Sequence, residues 1–267
     1  MALQAQNDGS EGLPEAPAPW STRCETYWLV LNLPSPLPLD IYDPLEATHP
    51  AMSARCFSGG IGMVMIVRYS DTPVGSYDEL VIIPGRFLVP GGELKGKDRM
   101  RISRIYVSQR ETTYNGRRNW NIPKHLARFE FSAPPIKKGE SPPSSLTVSV
   151  YPHEKSATSH LPFFQATLTP ASWTPAFPLS TTWLPLNMTF VQPPIPAGDD
   201  AILVGTDVWR SYEVVSRTSR ARLMWVKNDQ SQGVAADGFW PIVKPWSFGV
   251  FLEDATMDIS KPSEWQE

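Results

Sequence analysis

The chain has 267 residues, with 24 Lys and Arg against 27 Asp and Glu, a formal net charge of -3, and 41% hydrophobic residues. That balance describes a soluble globular protein with no electrostatic pull toward nucleic acid, and no apolar run approaches the ~18 residues of a membrane-spanning helix. Only Cys24 and Cys56 are present, far apart and outside any Cys-x-x-Cys spacing, so a disulfide framework and a zinc knuckle are both excluded and a reducing, cytoplasmic setting is expected.

Residues 1–19 are polar, acidic and rich in Ala and Pro, without the charged start and apolar middle of a signal peptide. They are read as a flexible arm before a single domain over 20–267. The 28 prolines and 17 glycines cut the rest into short pieces with little room for long helices. Strands are expected at 27–31, 62–69, 79–84, 102–108, 127–132, 146–151, 201–205, 221–227 and 247–252. In 146–151, Leu146, Val148 and Val150 share one side, and Thr147 and Ser149 the other. The Pro-, Ser- and Thr-rich stretches 133–145 and 170–200 read as loops, the second crossing a pocket mouth or joining two β lobes. The expected class is mainly β, and closing such short strands into a barrel removes exposed edges while leaving a mouth for a ligand.

The most informative stretch is 115–125, Asn-Gly-Arg-Arg-Asn-Trp-Asn-Ile-Pro-Lys-His. Pro123 fixes the backbone just before Lys124, and 127–132 then alternates apolar and polar residues as a half-buried strand does. Lys124 therefore borders a sheet, as a solvated lysine or as an amine turned into an apolar interior. Gly116, Arg117, Pro123 and Lys124 form a Gly-Arg-x5-Pro-Lys pattern, and 45 residues before the lysine Gly75, Tyr77 and Glu79 form Gly-x-Tyr-x-Glu. In order and spacing these two blocks resemble the acetoacetate decarboxylase family, with an outline extending over roughly residues 20 to 260.

The resemblance implies a cone-shaped antiparallel β barrel around a buried lysine, an uncharged amine that forms a Schiff base with a small carbonyl substrate, and no metal or organic cofactor. Lys124 is then the nucleophile, and Glu79 an acid/base or orienting group. The chain also departs from the family. His125 replaces a second lysine, Val64 falls where a second carboxylate is expected, and the family's N-terminal arginine aligns near Cys24, leaving Arg23 as its substitute after a one-residue slip. Lowering of the Lys124 pKa is therefore expected to come from burial.

Arg117 and Arg118 offer a fork for a substrate carboxylate or a structural ion pair. Trp120 suits a pocket wall or the core, and His125 either touches the site or points away. Trp173, Trp183, Trp209, Trp225, Trp240 and Trp246 suggest a wide aromatic cavity for a bulky ligand. His49, His125, His153 and His160 show no metal-ligand spacing. Decarboxylation of a β-keto acid is the simplest function implied. A cyclase, isomerase or pericyclase using the cavity without an imine, and a non-catalytic carrier of hydrophobic ligands, stand as alternatives. Assembly into a homo-oligomer is left open.

Overall fold

The computed structural model describes residues 12–52, 56–137, 139–153, 161–185, 187–228 and 239–267. Its strands are β1 (Trp20–Asn32), β2 (Phe57–Gly59), β3 (Ile61–Asp71), β4 (Tyr77–Ile83), β5 (Arg86–Leu88), β6 (Asp98–Met100), β7 (Arg104–Val107), β8 (Lys124–Phe131), β9 (Leu146–Pro152), β10 (Phe164–Pro170), β11 (Phe177–Ser180), β12 (Thr189–Gln192), β13 (Trp209–Asn228), β14 (Phe248–Ile259) and β15 (Ser263–Trp265). Two helices, α1 (Pro44–Ala47) and α2 (Arg110–Trp120), accompany them.

Nine strands form a ring in the order β10-β9-β8-β7-β4-β3-β1-β14-β13, and β10 pairs with β13 to close it. Every step is antiparallel except β7 to β8, which run parallel because α2 carries the chain back between them. The ring separates two apolar cores. Inward residues of its strands, among them Leu29, Val64, Ile66, Leu80, Val148, Phe164 and Phe251, fill the interior. The outward face of β1, β3, β4, β7 and β14 supplies Cys24, Met65, Val67, Tyr77, Val81 and Met257, which pack with Trp120 of α2 and with Phe190 and Tyr212 of the β12–β13 hairpin. Because side chains alternate along a strand, each of these walls feeds both cores.

The alternation read in 146–151 is found, with Leu146, Val148 and Val150 all in the inner core. Residues 201–205 are not a strand. Asp200 accepts a hydrogen bond from the Ile202 amide (3.2 Å) and its carbonyl one from Leu203 (2.8 Å), which folds that stretch into a turn. Residues 170–200 are not structureless either, for they carry β11, a short 3-10 turn and β12. The expected free arm also differs. From Pro14 onward it is tied to α2: Asn115 accepts from the Ala16 amide (2.8 Å) and donates to the Pro14 carbonyl (2.9 Å), and Trp20 donates to the Ala16 carbonyl (3.0 Å). Residues 1–11 lie outside the described residues.

Candidate active site

Helix α2 begins at Arg110 without a side-chain cap and ends at Asn121, which takes the left-handed conformation (φ 57°). The Asn121 amide donates to the Arg117 carbonyl (3.0 Å) and the Ile122 amide to that of Gly116 (3.2 Å), and Pro123 then prevents any continuation. Lys124 consequently starts β8 opposite Ile105 of β7, directly beneath the helix. Its stem passes against Gly116, where a Cβ would stand 2.7 Å from Cδ and 2.8 Å from Cε. The glycine of the motif is the space the lysine occupies.

Lys124 is 4% exposed, and its Nζ donates to Thr112 Oγ1 (2.8 Å), Glu79 Oε2 (2.9 Å) and the Tyr77 hydroxyl (3.3 Å), with the Tyr77 ring 4.9 Å away. Glu79 and Tyr77 share the outward face of β4, which brings two residues 45 apart in sequence from Lys124 into one buried pair. Tyr69, opposite Tyr77 on β3, donates to Glu79 Oε1 (3.4 Å). Burial pulls the Lys124 pKa down, but the charges and hydrogen bonds of Glu79 and Tyr77 overcome it and hold the amine above the ordinary lysine value. The resting site is an ammonium–carboxylate pair, contrary to the lowered amine expected from burial. Burial, opposed by Lys124, raises Tyr77 to about 12. Burial first and Glu79 second push up both the Tyr69 hydroxyl and the Cys24 thiol.

Of the residues singled out from sequence, Lys124 and Glu79 meet. Trp120 lies in the same core, its ring 5.2 Å from Trp20 and its indole donating to the Ser260 carbonyl (2.8 Å). The others stand elsewhere. Arg23 is at the surface, 57% exposed and 3.4 Å from Asp254. Val64 is fully buried in the inner core, because its parity on β3 is opposite to that of Val67, the partner of Glu79. Arg117 is fully buried and committed to Glu46 Oε1 (2.7 Å) and the carbonyls of Val204 (3.0 Å) and Pro196 (2.6 Å), the structural ion-pair alternative. His125 turns to the other face of β8, its Nε2 2.7 Å from Glu46 Oε2 and 3.6 Å from Asp43 Oδ1. Burial pushes the Glu46 carboxyl up, and His125 and Arg117 together bring it below the ordinary carboxylate range.

Asp43, Glu46 and His125 place their ligand atoms within 4.8 Å of one another, a convergence that histidine spacing alone does not reveal. Arg117 at 2.7 Å from Glu46 and Arg104 at 3.9 Å from Asp43 already supply the positive charge a metal ion would bring. His160 lies outside the described residues. Sequence reading missed Thr112 and Tyr69 as members of the site. Tyr69 is legible only through its pairing with Tyr77, and Thr112 only once α2 is known, since it lies one turn before Gly116. The aromatic cavity expected from the C-terminal tryptophans is not assembled by them: Trp173, Trp183, Trp225 and Trp246 are 41% to 71% exposed, while Trp240 is buried in the inner core and Trp209 in a separate small cluster with Val89 and Val191. Three surface clefts of about 210, 280 and 440 Å³ are lined by described residues, and Lys124 lines none of these three.

No family model matches the chain. A 75-residue stretch is 31% identical to the rice (Oryza sativa subsp. japonica) Protein NEOXANTHIN-DEFICIENT 1; it covers 28% of the chain and only 23% of that relative's length. Among solved structures, the acetoacetate decarboxylase of Legionella pneumophila superposes with a TM-score of 0.54 at 13% identity, covering 99% of this chain and 97% of that one. An acetoacetate decarboxylase-like enzyme from Sphingomonas wittichii RW1 gives 0.55 at 12% identity, covering 100% and 99%. The enduracididine biosynthesis enzyme MppR, solved with pyruvate, gives 0.54 at 12%, covering 98% and 96%. The chain has the acetoacetate decarboxylase-like fold.

Proposed function

We propose that this acetoacetate decarboxylase-like chain is a cofactor-independent enzyme that acts on a carbonyl compound through an imine on Lys124. The observation that carries the reading is the buried contact of 2.9 Å between Lys124 Nζ and Glu79 Oε2. An ammonium is no nucleophile, so Glu79 first takes its proton. The free amine then attacks the carbonyl carbon, Glu79 passes the proton to the carbonyl oxygen, and the nitrogen returns one to Glu79. A last transfer from Glu79 expels the hydroxyl as water and leaves a protonated imine beside an ionised carboxylate. The site thus begins and ends as one cation against one anion, so no unpaired charge is created in a buried place.

The iminium is an electron sink for loss of CO2, removal of an α-proton or cleavage of a carbon–carbon bond. Decarboxylation of a β-keto acid is the simplest of these outcomes, yet Arg23 and Arg117, the groups expected to hold its carboxylate, are engaged elsewhere. The raised pKa of Lys124 favours a second reading, in which the ammonium only hydrogen-bonds a carbonyl and the core's shape directs an isomerisation or cyclisation. Borohydride separates the two. With a panel of ketones present it is expected to add reduced ketone mass to the peptide carrying Lys124, and adduct-free turnover would establish the second reading instead.

A further inference from the structure

Two neighbouring polar groups in the core beneath α2 make no hydrogen bond of normal geometry at one atom each among the described residues. Tyr212, 2% exposed, has no hydrogen bond to its hydroxyl. Gln192 is fully buried and donates its amide nitrogen to the Ile102 carbonyl (3.2 Å), which fixes the orientation of the amide and leaves Oε1 unbound. Both stand on the β12–β13 hairpin, where Tyr212 stacks on Phe190 (5.8 Å) and lies 6.4 Å from Trp120. Burial first, and the nearby Glu79 carboxylate second, hold the Tyr212 hydroxyl well above the ordinary value, so it remains a donor; the Gln192 amide lies beside it without a hydrogen bond of normal geometry. Buried donors and acceptors are rarely left unpaired unless something else binds them.

The charges here are already balanced. Lys124 and Glu79 neutralise each other. Met100 and Ile102 face this core, whereas Arg101 between them lies over the rings of Phe87 (4.4 Å) and Trp209 (5.5 Å) on the other side. A ligand carboxylate would stand next to Glu79 in a dry site with no cation of its own among the described residues, which is strongly unfavourable. A single hydroxyl does what a carboxylate cannot, accepting from Tyr212 while donating to Gln192 Oε1.

We infer that this site takes an uncharged hydroxyketone, with its carbonyl at Lys124 and its hydroxyl between Tyr212 and Gln192. The carbonyl end rests on the proposed imine chemistry; the hydroxyl end rests on the two unpartnered groups alone. The cleft of about 210 Å³ lined by Met188 and Val214, both packed against this core, gives the direction of approach.

The test compares diacetone alcohol with methyl isobutyl ketone, which lacks the hydroxyl, and methyl acetoacetate with acetoacetate, which adds the charge. Binding is read from tryptophan fluorescence, and imine formation separately from borohydride trapping. Diacetone alcohol is expected to half-saturate the full chain at a concentration about tenfold or more below methyl isobutyl ketone, and methyl acetoacetate about tenfold or more below acetoacetate. Tyr212→Phe should bring the first ratio close to one. Equal or tighter binding of acetoacetate, no advantage for the hydroxyl, or binding of none of the four probes overturns the inference. The expected binding ratios without any adduct at Lys124 would support the hydroxyketone site and reject the imine.

Discussion

Lys124 and His125 are adjacent in the chain, yet they stand on opposite faces of β8, each beside a buried carboxylate, and the two pairs are built for different ends. On the inner side Glu46 is fixed by Arg117 and His125, and Arg117 spends its remaining donors on the backbone carbonyls of Val204, Pro196 and Lys124. Guanidinium does not give up its proton in proteins, so that pair is a lock. On the outer side Glu79 meets a lysine whose other contacts are hydroxyls, Thr112 and Tyr77. Hydroxyls can donate as well as accept, and an amine can lose a proton, so this pair can move one. A buried ion pair therefore does not identify chemistry; the ability of its cation and its neighbours to change protonation state does.

The largest effect expected is the complete loss of imine formation in Lys124→Met and in Lys124→Arg, with far-ultraviolet circular dichroism unchanged, because in either variant no amine remains to attack. Next is stability. Arg117→Ala leaves the buried Glu46 with His125 alone and is expected to cost about 3–5 kcal/mol in urea unfolding, whereas the folded fraction should still trap a ketone at Lys124. Loss of trapping in that folded fraction would show that the lock and the reactive pair are not separable. Gly116→Ala is intermediate. Its new methyl would press on the Lys124 stem, so the expected cost is about 1–3 kcal/mol together with slower trapping, and unchanged trapping would mean that the stem has room to shift.

Much of this arrangement is legible in the sequence, and what is not has a physical cause. The β class and the alternation of 146–151 follow from turn residues and period-two patterning, and the pairing of Lys124 with Glu79 from the resemblance to the acetoacetate decarboxylase family. Helix α2 is hidden because the face it buries is made of Thr112, Thr113, Asn115, Gly116 and Arg117, with Trp120 alone apolar, so no apolar stripe repeats at helical spacing. Its stop signal was present, basic residues at 117 and 118 followed by Asn121 and Pro123. Alignment distance puts Val64 and Arg23 at the site, but it says nothing about which face of a strand a side chain takes. One residue of parity puts Val64 in the inner core. The pKa of Lys124 is raised rather than lowered because Glu79 and Tyr77 stand against the buried amine and outweigh its burial.

Acid and base should also separate the two pairs. The Glu46 carboxyl lies lower in the fold than unfolded glutamate, about 4.3, so its stabilisation is whole above that value and is lost as pH falls through the folded one; Glu46→Gln should flatten this acid limb of stability against pH. Lys124 lies higher than unfolded lysine, about 10.4, so its contribution is whole below that value and disappears as pH rises through the folded one; Glu79→Gln should remove this alkaline limb. The smallest effect expected is that of Val64→Thr or His125→Ala on the pH dependence of trapping. Both side chains face away from the amine, so the profile should coincide with that of the unchanged chain, and a displaced midpoint would mean that the two faces of the sheet communicate.

The most direct measurement uses a ketone labelled with heavy oxygen at its carbonyl. Each reversible imine at Lys124 releases that oxygen as water and returns the ketone with oxygen from the solvent, so the unchanged chain should wash out the label from diacetone alcohol far faster than buffer does, while Lys124→Met should match buffer. Washout by the Lys124→Met variant as fast as by the unchanged chain, or no washout by the unchanged chain, would contradict an imine on Lys124.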